Sequence, residues 1–90
     1  RNYRVALSPK EVQVLTLTAL GYSDKEIGVK LNIAYGTVRN HIDRIVLKLH
    51  AQNRTHAVMI YKLLNKNWLE EYHETYRNSL DSGRVLSYRL

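Results

Sequence analysis

The chain has 90 residues, 44% of them hydrophobic and 24% charged, which suits one folded domain with a single modest core. No apolar run approaches the roughly 20 residues that a membrane-spanning helix needs, no signal-peptide pattern is visible, and the lack of Cys excludes disulfides and cysteine-held metal, as fits an intracellular setting. The net charge of +6 is uneven: residues 1–66 hold eleven Lys and Arg against four Asp and Glu, residues 67–90 three against four. That excess favours a polyanionic partner, although charge alone suits a basic domain without one equally well.

The first helix is expected from about Pro9 to Leu20. Ser8 is a good N-cap, Pro9 suits the first helical position, and Glu11 completes a Ser-x-x-Glu capping box. Val12, Leu15, Ala19 and Leu20 form its apolar stripe, and Gly21 is the expected stop. The second helix repeats the device. Ser23 caps, Glu26 completes the box, and Asp24 adds negative charge to the first turn. Ile27 and Leu31 point inward. Gly28 weakens this helix by roughly 1 kcal/mol relative to Ala, so a close helix crossing is expected over it. Asn32 suits the left-handed residue that ends a helix.

The third helix is expected from about Tyr35 to Leu49. Val38, Ile42, Ile45 and Leu49 fall on one face. At 100° per residue, Gly36, Arg39, Asn40, Asp43 and Leu47 fall on the opposite face. Thr37, His41, Arg44 and Lys48 flank them. The fourth helix starts near Asn53, a candidate N-cap, and runs to at least Leu64, with Ala57, Ile60, Tyr61 and Leu64 on its core face. Thr55, Met59 and Lys62 lie opposite, with Val58 and Leu63 at the margins. Beyond it, Leu64, Trp68, Tyr72, Tyr76 and Leu80 recur every four residues, which leaves open whether helix four continues or a fifth follows. Ser82 and Gly83 mark a turn or helix end. No β pattern is present, so the fold class is all-α.

LSPKEVQVL, GYSDKEIGVKL, TVRNHIDRIVLKL and NRTHAV, in this order, resemble the LuxR-type (NarL/FixJ, GerE-like) helix-turn-helix domain. Residues 1–6 are then a lead-in, 7–64 the domain, and 65–90 a C-terminal extension, helical to about residue 80. The resemblance implies a bacterial transcription regulator in which helix three reads the major groove and helix four pairs two protomers. The separate N-terminal signal-receiving domain usual in the family has no counterpart in these residues. Leu7, Leu15, Ile27, Leu31, Val38, Ile45 and Leu49 match the family's core positions. Glu11 and Arg54 match a pair that ties helix one to the start of helix four. Arg39, Asn40 and Asp43 match base-facing positions; Thr37, His41 and Lys48 match positions facing the DNA backbone. Thr55, Val58, Met59 and Lys62 are the candidate dimer face. The chain departs from the family at Gly28 (commonly Ala), Ala34 (commonly the Ser cap), Gly36 (usually a longer polar residue), Asp43 (usually basic or neutral) and Leu47 (usually charged).

The residue chemistry agrees. Arg39 has the fork that pairs with guanine O6 and N7, Asn40 suits adenine N6 and N7, and Asp43 can accept from cytosine N4. The plain alternative is an exposed Arg39–Asp43 ion pair worth roughly 0.2–0.5 kcal/mol. Ser23, Lys25, Thr37, His41, Arg44 and Lys48 are the candidate phosphate contacts, with solvated surface as the alternative. His41, His50, His56 and His73 have no metal-ligand spacing, and no cofactor is implied. The leading expectation is a sequence-specific regulator of double-stranded DNA, a homodimer through helix four and the extension, located in the cytoplasm on the nucleoid. One alternative is a sigma-factor region-four-like module that also contacts RNA polymerase. The other is a protein-interaction module that kept the fold without DNA binding. No nucleophile–base arrangement or phosphate loop points to an enzyme.

Overall fold

A computed structural model describes residues 6–70. Four helices follow in order: α1 (Pro9–Ala19), α2 (Asp24–Leu31), α3 (Tyr35–Lys48) and α4 (Arg54–Leu64). Residues 68–70 are helical again after a break at 65–67, so α4 does not continue unbroken into the extension. Among the described residues no helix is long and apolar enough to cross a membrane.

Local chemistry sets the helix ends. Ser8 Oγ accepts from Glu11 N at 3.1 Å while Glu11 Oε1 accepts from Ser8 N at 2.9 Å. Ser23 and Glu26 repeat the exchange at 3.2 and 2.8 Å. Each box satisfies two of the N–H groups that a helix start leaves unpaired. Gly21 (φ 98°) and Asn32 (φ 58°) turn the chain left-handed after α1 and α2. At α4, Asn53 Oδ1 accepts from His56 N at 2.8 Å. His50 (φ 55°) makes the left-handed turn after α3, which the sequence did not flag.

The start of α3 is the exception. Ala34 has the extended cap geometry (φ −68°, ψ 150°) but no side chain to use it. Ala34→Ser should therefore raise stability by about 1 kcal/mol. A urea midpoint unchanged at constant slope would count against that cap.

The core is built from Val14, Leu15, Leu17, Ile27, Val38, Ile42, Ile45, Leu49 and Ala57. Leu15, Ile27, Ile45, Val14 and Val38 are fully enclosed. At about 1.5–3 kcal/mol per fully buried aliphatic side chain, they easily outweigh the roughly 1 kcal/mol lost to Gly28. A Cβ on Gly28 would lie 2.8 Å from the Ile33 carbonyl oxygen and 3.7 Å from Val38 Cγ2. The tight neighbour is thus the backbone of the α2–α3 turn, while the crossing helix stands at ordinary contact distance. An Ala here would need the Ile33 carbonyl to move back.

Two expected stripes need correction. On α1, Leu15 is buried as expected, but Leu20 is 36% exposed, and Val14, Thr16 and Leu17 are buried instead. The reason is that α1 packs against all three other helices, so it buries more than one stripe. On α4, Ala57 is buried and Ile60 and Tyr61 partly so, but Leu64, the last residue of the helix, is 56% exposed. The family core positions hold, with Leu7 and Leu31 only partly buried.

Trp68 closes the bundle. Its Nε1 donates to the buried Thr16 Oγ1 at 2.8 Å, and its ring meets Tyr61 edge-on (centroids 4.8 Å apart, 88° between planes). Tyr72, Tyr76, Leu80, Ser82 and Gly83 lie outside the described residues.

Candidate nucleic-acid interface

The buried stripe of α3 sets what its other face can do. With Val38, Ile42, Ile45 and Leu49 locked in the core, Gly36, Arg39, Asn40, Asp43 and Leu47 are all exposed. Thr37, Arg44 and Lys48 are exposed beside them, and His41 is half-buried. The expected reading face is therefore one continuous surface. Leu47 stands 74% exposed at its far end.

Arg39 does not pair with Asp43. Its Nε lies 3.7 Å from Asp24 Oδ2 on α2, and its Nη1 donates a long hydrogen bond, 3.5 Å, to the Tyr35 hydroxyl. Half of its side chain is still open to solvent. Asp24 and Tyr35 were not read as site residues. The i, i+4 spacing of Tyr35 and Arg39 was a usable signal. Asp24 offered only its place in a helix's first turn.

The Glu11–Arg54 pair does not form, and two other pairs stand in its place. Lys48 Nζ donates to Glu11 Oε1 at 2.8 Å, and the glutamate is 3% exposed. Burial pushes the Glu11 carboxyl up, but the Lys48 hydrogen bond and charge and the Ser8 N–H pull it further the other way, below its usual range. Arg54 grips Asp24 through both nitrogens, with Nη2 donating to Oδ2 at 3.0 Å. That bond, working against burial, lowers the Asp24 carboxyl. The planar guanidinium fork suits a bidentate grip, while the flexible lysine stem suits a single oxygen set deep beside α1. Lys48 is consequently a structural residue as well as a flank of the exposed face of α3.

The remaining candidates are spread around this face. Ser23 and Lys25 are exposed at the start of α2. The Ser23 oxygen already accepts from Glu26 N, which leaves its own proton to offer. His41 Nδ1 is buried with no hydrogen-bond partner among the described residues. His56 Nδ1 accepts from Gln52 N at 3.0 Å, a loop-fixing role. His73 lies outside the described residues, among which no group of three or more His, Asp or Glu could hold a metal ion. On α4, Thr55 and Lys62 are exposed, Met59 is 52% exposed, and Val58 is partly packed into the core. Leu63, placed only at the margin by the sequence, is 70% exposed.

Comparison with known proteins identifies the family of the domain. Residues 5–61 match the GerE family, bacterial regulatory proteins of the luxR family. The chain is 43% identical over 63 residues to the uncharacterized transcriptional regulatory protein YvfU of Bacillus subtilis, covering 70% of this chain and 30% of that protein. It is 40% identical over 58 residues to the transcriptional regulatory protein LnrK of the same organism (64% and 26% covered). To the response regulator protein VraR of Staphylococcus aureus it is 42% identical over 53 residues (59% and 25%). The chain thus spans less than a third of the length of these relatives. With its helix-turn-helix in place and more than half of its residues matched, the chain belongs to the luxR family of bacterial regulatory proteins.

Proposed function

We propose that this domain is a sequence-specific binder of double-stranded DNA in transcription regulation, with α3 in the major groove and α4 pairing two copies. The observation that carries the reading is the division of α3: one face wholly buried, the other offering Arg39, Asn40 and Asp43 on a positively charged domain. A major groove about 12 Å wide admits one such helix. Arg39, Asn40 and Asp43 meet base edges. Thr37, His41, Arg44 and Lys48, with Ser23 and Lys25, meet phosphates on either side. Since His41 Nδ1 is enclosed, Nε2 is the ring nitrogen that turns to a phosphate. Lys48 shares its ammonium with Glu11, so its phosphate contact is the weakest of the set. Thr55, Met59 and Lys62, with Leu63, form the α4 pairing surface. The site of action is the cytoplasm, on the nucleoid. The match to luxR-family regulators weighs against the sigma-factor reading and its RNA polymerase contact.

Selection from random duplexes at two salt concentrations tests this. The protein should enrich one motif, with affinity falling as salt rises. Arg39→Ala should relax a single base-pair position, where a bidentate contact is worth about 1–3 kcal/mol. No motif and no salt-sensitive binding would favour the protein-interaction module instead.

A further inference from the structure

Three helices meet at one carboxylate. Asp24 opens α2, and its side chain is only 11% exposed. Arg54, from the start of α4, grips both of its oxygens. Arg39, from α3, brings Nε within 3.7 Å of Oδ2, the oxygen that Arg54 Nη2 also holds at 3.0 Å. The Tyr35 hydroxyl receives Arg39 Nη1 from the other side at 3.5 Å. Arg39 thus stands at ion-pair distance from Asp24 through Nε, beyond hydrogen-bond reach, and touches Tyr35 through Nη1. A guanidinium carries five N–H donors in a fixed plane. With Nε turned to Asp24 and one Nη1 hydrogen turned to Tyr35, the second Nη1 hydrogen and both Nη2 hydrogens remain. The second Nη1 hydrogen and the Nη2 hydrogen beside it form the pair of adjacent donors that guanine O6 and N7 accept.

We propose that Asp24 is a positioning residue for base reading: it holds the Arg39 guanidinium by its Nε edge, and Arg54 holds Asp24 in turn. The inference rests on the DNA-reading role of α3. It makes α4 a contributor to specificity, because Arg54 stands on the helix that pairs the protomers. It also gives Asp24 two effects of opposite sign. Its charge repels phosphates, which lowers affinity for any duplex, while its grip on Arg39 raises preference for one base. Removing it should therefore loosen discrimination without weakening general binding. Damage to the fold would lower both.

The test compares wild type, Asp24→Asn, Arg39→Ala and the double variant on the selected duplex, on duplexes changed at each base pair, and on an unrelated duplex. Wild type should prefer guanine by about 5- to 150-fold at the position that Arg39→Ala relaxes. Asp24→Asn should cut that preference severalfold, leave the other positions unchanged, and bind the unrelated duplex as well as wild type or better. In the Arg39→Ala background it should change nothing further at that position. If Arg39→Ala relaxes a position and Asp24→Asn leaves it intact, the positioning role is overturned while the DNA-reading role stands.

A second arm needs no variant, and tests the restraint on Arg39 directly if Asp24→Asn does not fold. By NMR relaxation on the wild-type chain, the Arg39 Nε–H vector should be more ordered than that of Arg44, which has no carboxylate within 4.0 Å among the described residues. Equal order at Arg39 and Arg44 would overturn the proposal.

Discussion

Replacing Lys48 with alanine is expected to destabilise the domain by about 3 kcal/mol, at the low end of the 3–5 kcal/mol typical when one side of a buried ion pair is removed. The low end applies because the Lys48 side chain is itself 39% exposed, so water partly reaches the site. The Glu11 carboxylate left behind is not so placed, with a side chain only 4% exposed. For a small domain with about 5–15 kcal/mol of total stability, such a loss is a large fraction. Urea denaturation should show a much lower midpoint for Lys48→Ala, while Arg44→Ala, one turn earlier on α3, should stay within about 0.5 kcal/mol of wild type.

The pH profile checks the same pair. Because folding lowers the Glu11 pKa, its contribution is fully present above the usual carboxylate range and is lost as pH falls through the lowered, folded-state value. The gap between wild type and Lys48→Ala should therefore be widest near neutral pH and close in acid. A gap that stays constant down to pH values where both proteins unfold would argue against the pair. One practical result follows for DNA work. Weaker binding by Lys48→Ala would mix lost folding with loss of the proposed phosphate contact, so Arg44 and Lys25 are the cleaner probes of the salt slope.

The second large effect lies outside the family match, which ends at residue 61. Trp68→Ala is expected to cost about 2–3 kcal/mol, below the 3–5 kcal/mol of a fully buried Trp because Trp68 is only partly covered. The edge-on contact with Tyr61 contributes about 0.5–1.5 kcal/mol and the indole hydrogen bond about 1 kcal/mol. Thr16 Oγ1 keeps its bond to the Val12 carbonyl oxygen (2.7 Å), so no buried hydroxyl is orphaned. At roughly 4–8 °C per kcal/mol for a domain of this size, melting should drop by about 10–20 °C. Trp68→Phe retains most of the packing and should lose about 1 kcal/mol, the hydrogen-bond share. If Trp68→Ala melts within two or three degrees of wild type, the contact is superficial.

These two cases show where the sequence could be read and where it could not. Helix starts were legible because their partners sit three residues apart: Ser8 with Glu11, Ser23 with Glu26, Asn53 with His56. The division of α3 was legible because one buried stripe fixes everything opposite it. Ion-pair partners were not, since Lys48 stands 37 residues from Glu11 and Arg54 stands 30 from Asp24. Nothing local says which of several cations reaches which carboxylate. Burial on α1 was misjudged for a related reason: periodicity assumes one covered side, and α1 touches three helices. Trp68 could be assigned to an apolar stripe but not to Thr16, 52 residues earlier.

The bare start of α3 leaves this helix unevenly held along its length. Its far half is clamped by Ile42, Ile45 and the Lys48–Glu11 bond, whereas its first turn has no side-chain cap and includes Gly36, beside which there is open space. Local opening is cheapest where few contacts hold the backbone. If α3 enters a groove as proposed, the exposed Tyr35, Gly36 and Thr37 side of that turn is the part free to adjust, while Val38 keeps its other side in the core. On the proposed DNA-reading role, such compliance would tolerate operators of slightly different groove width, at the cost of some ordering entropy each time the turn set on DNA.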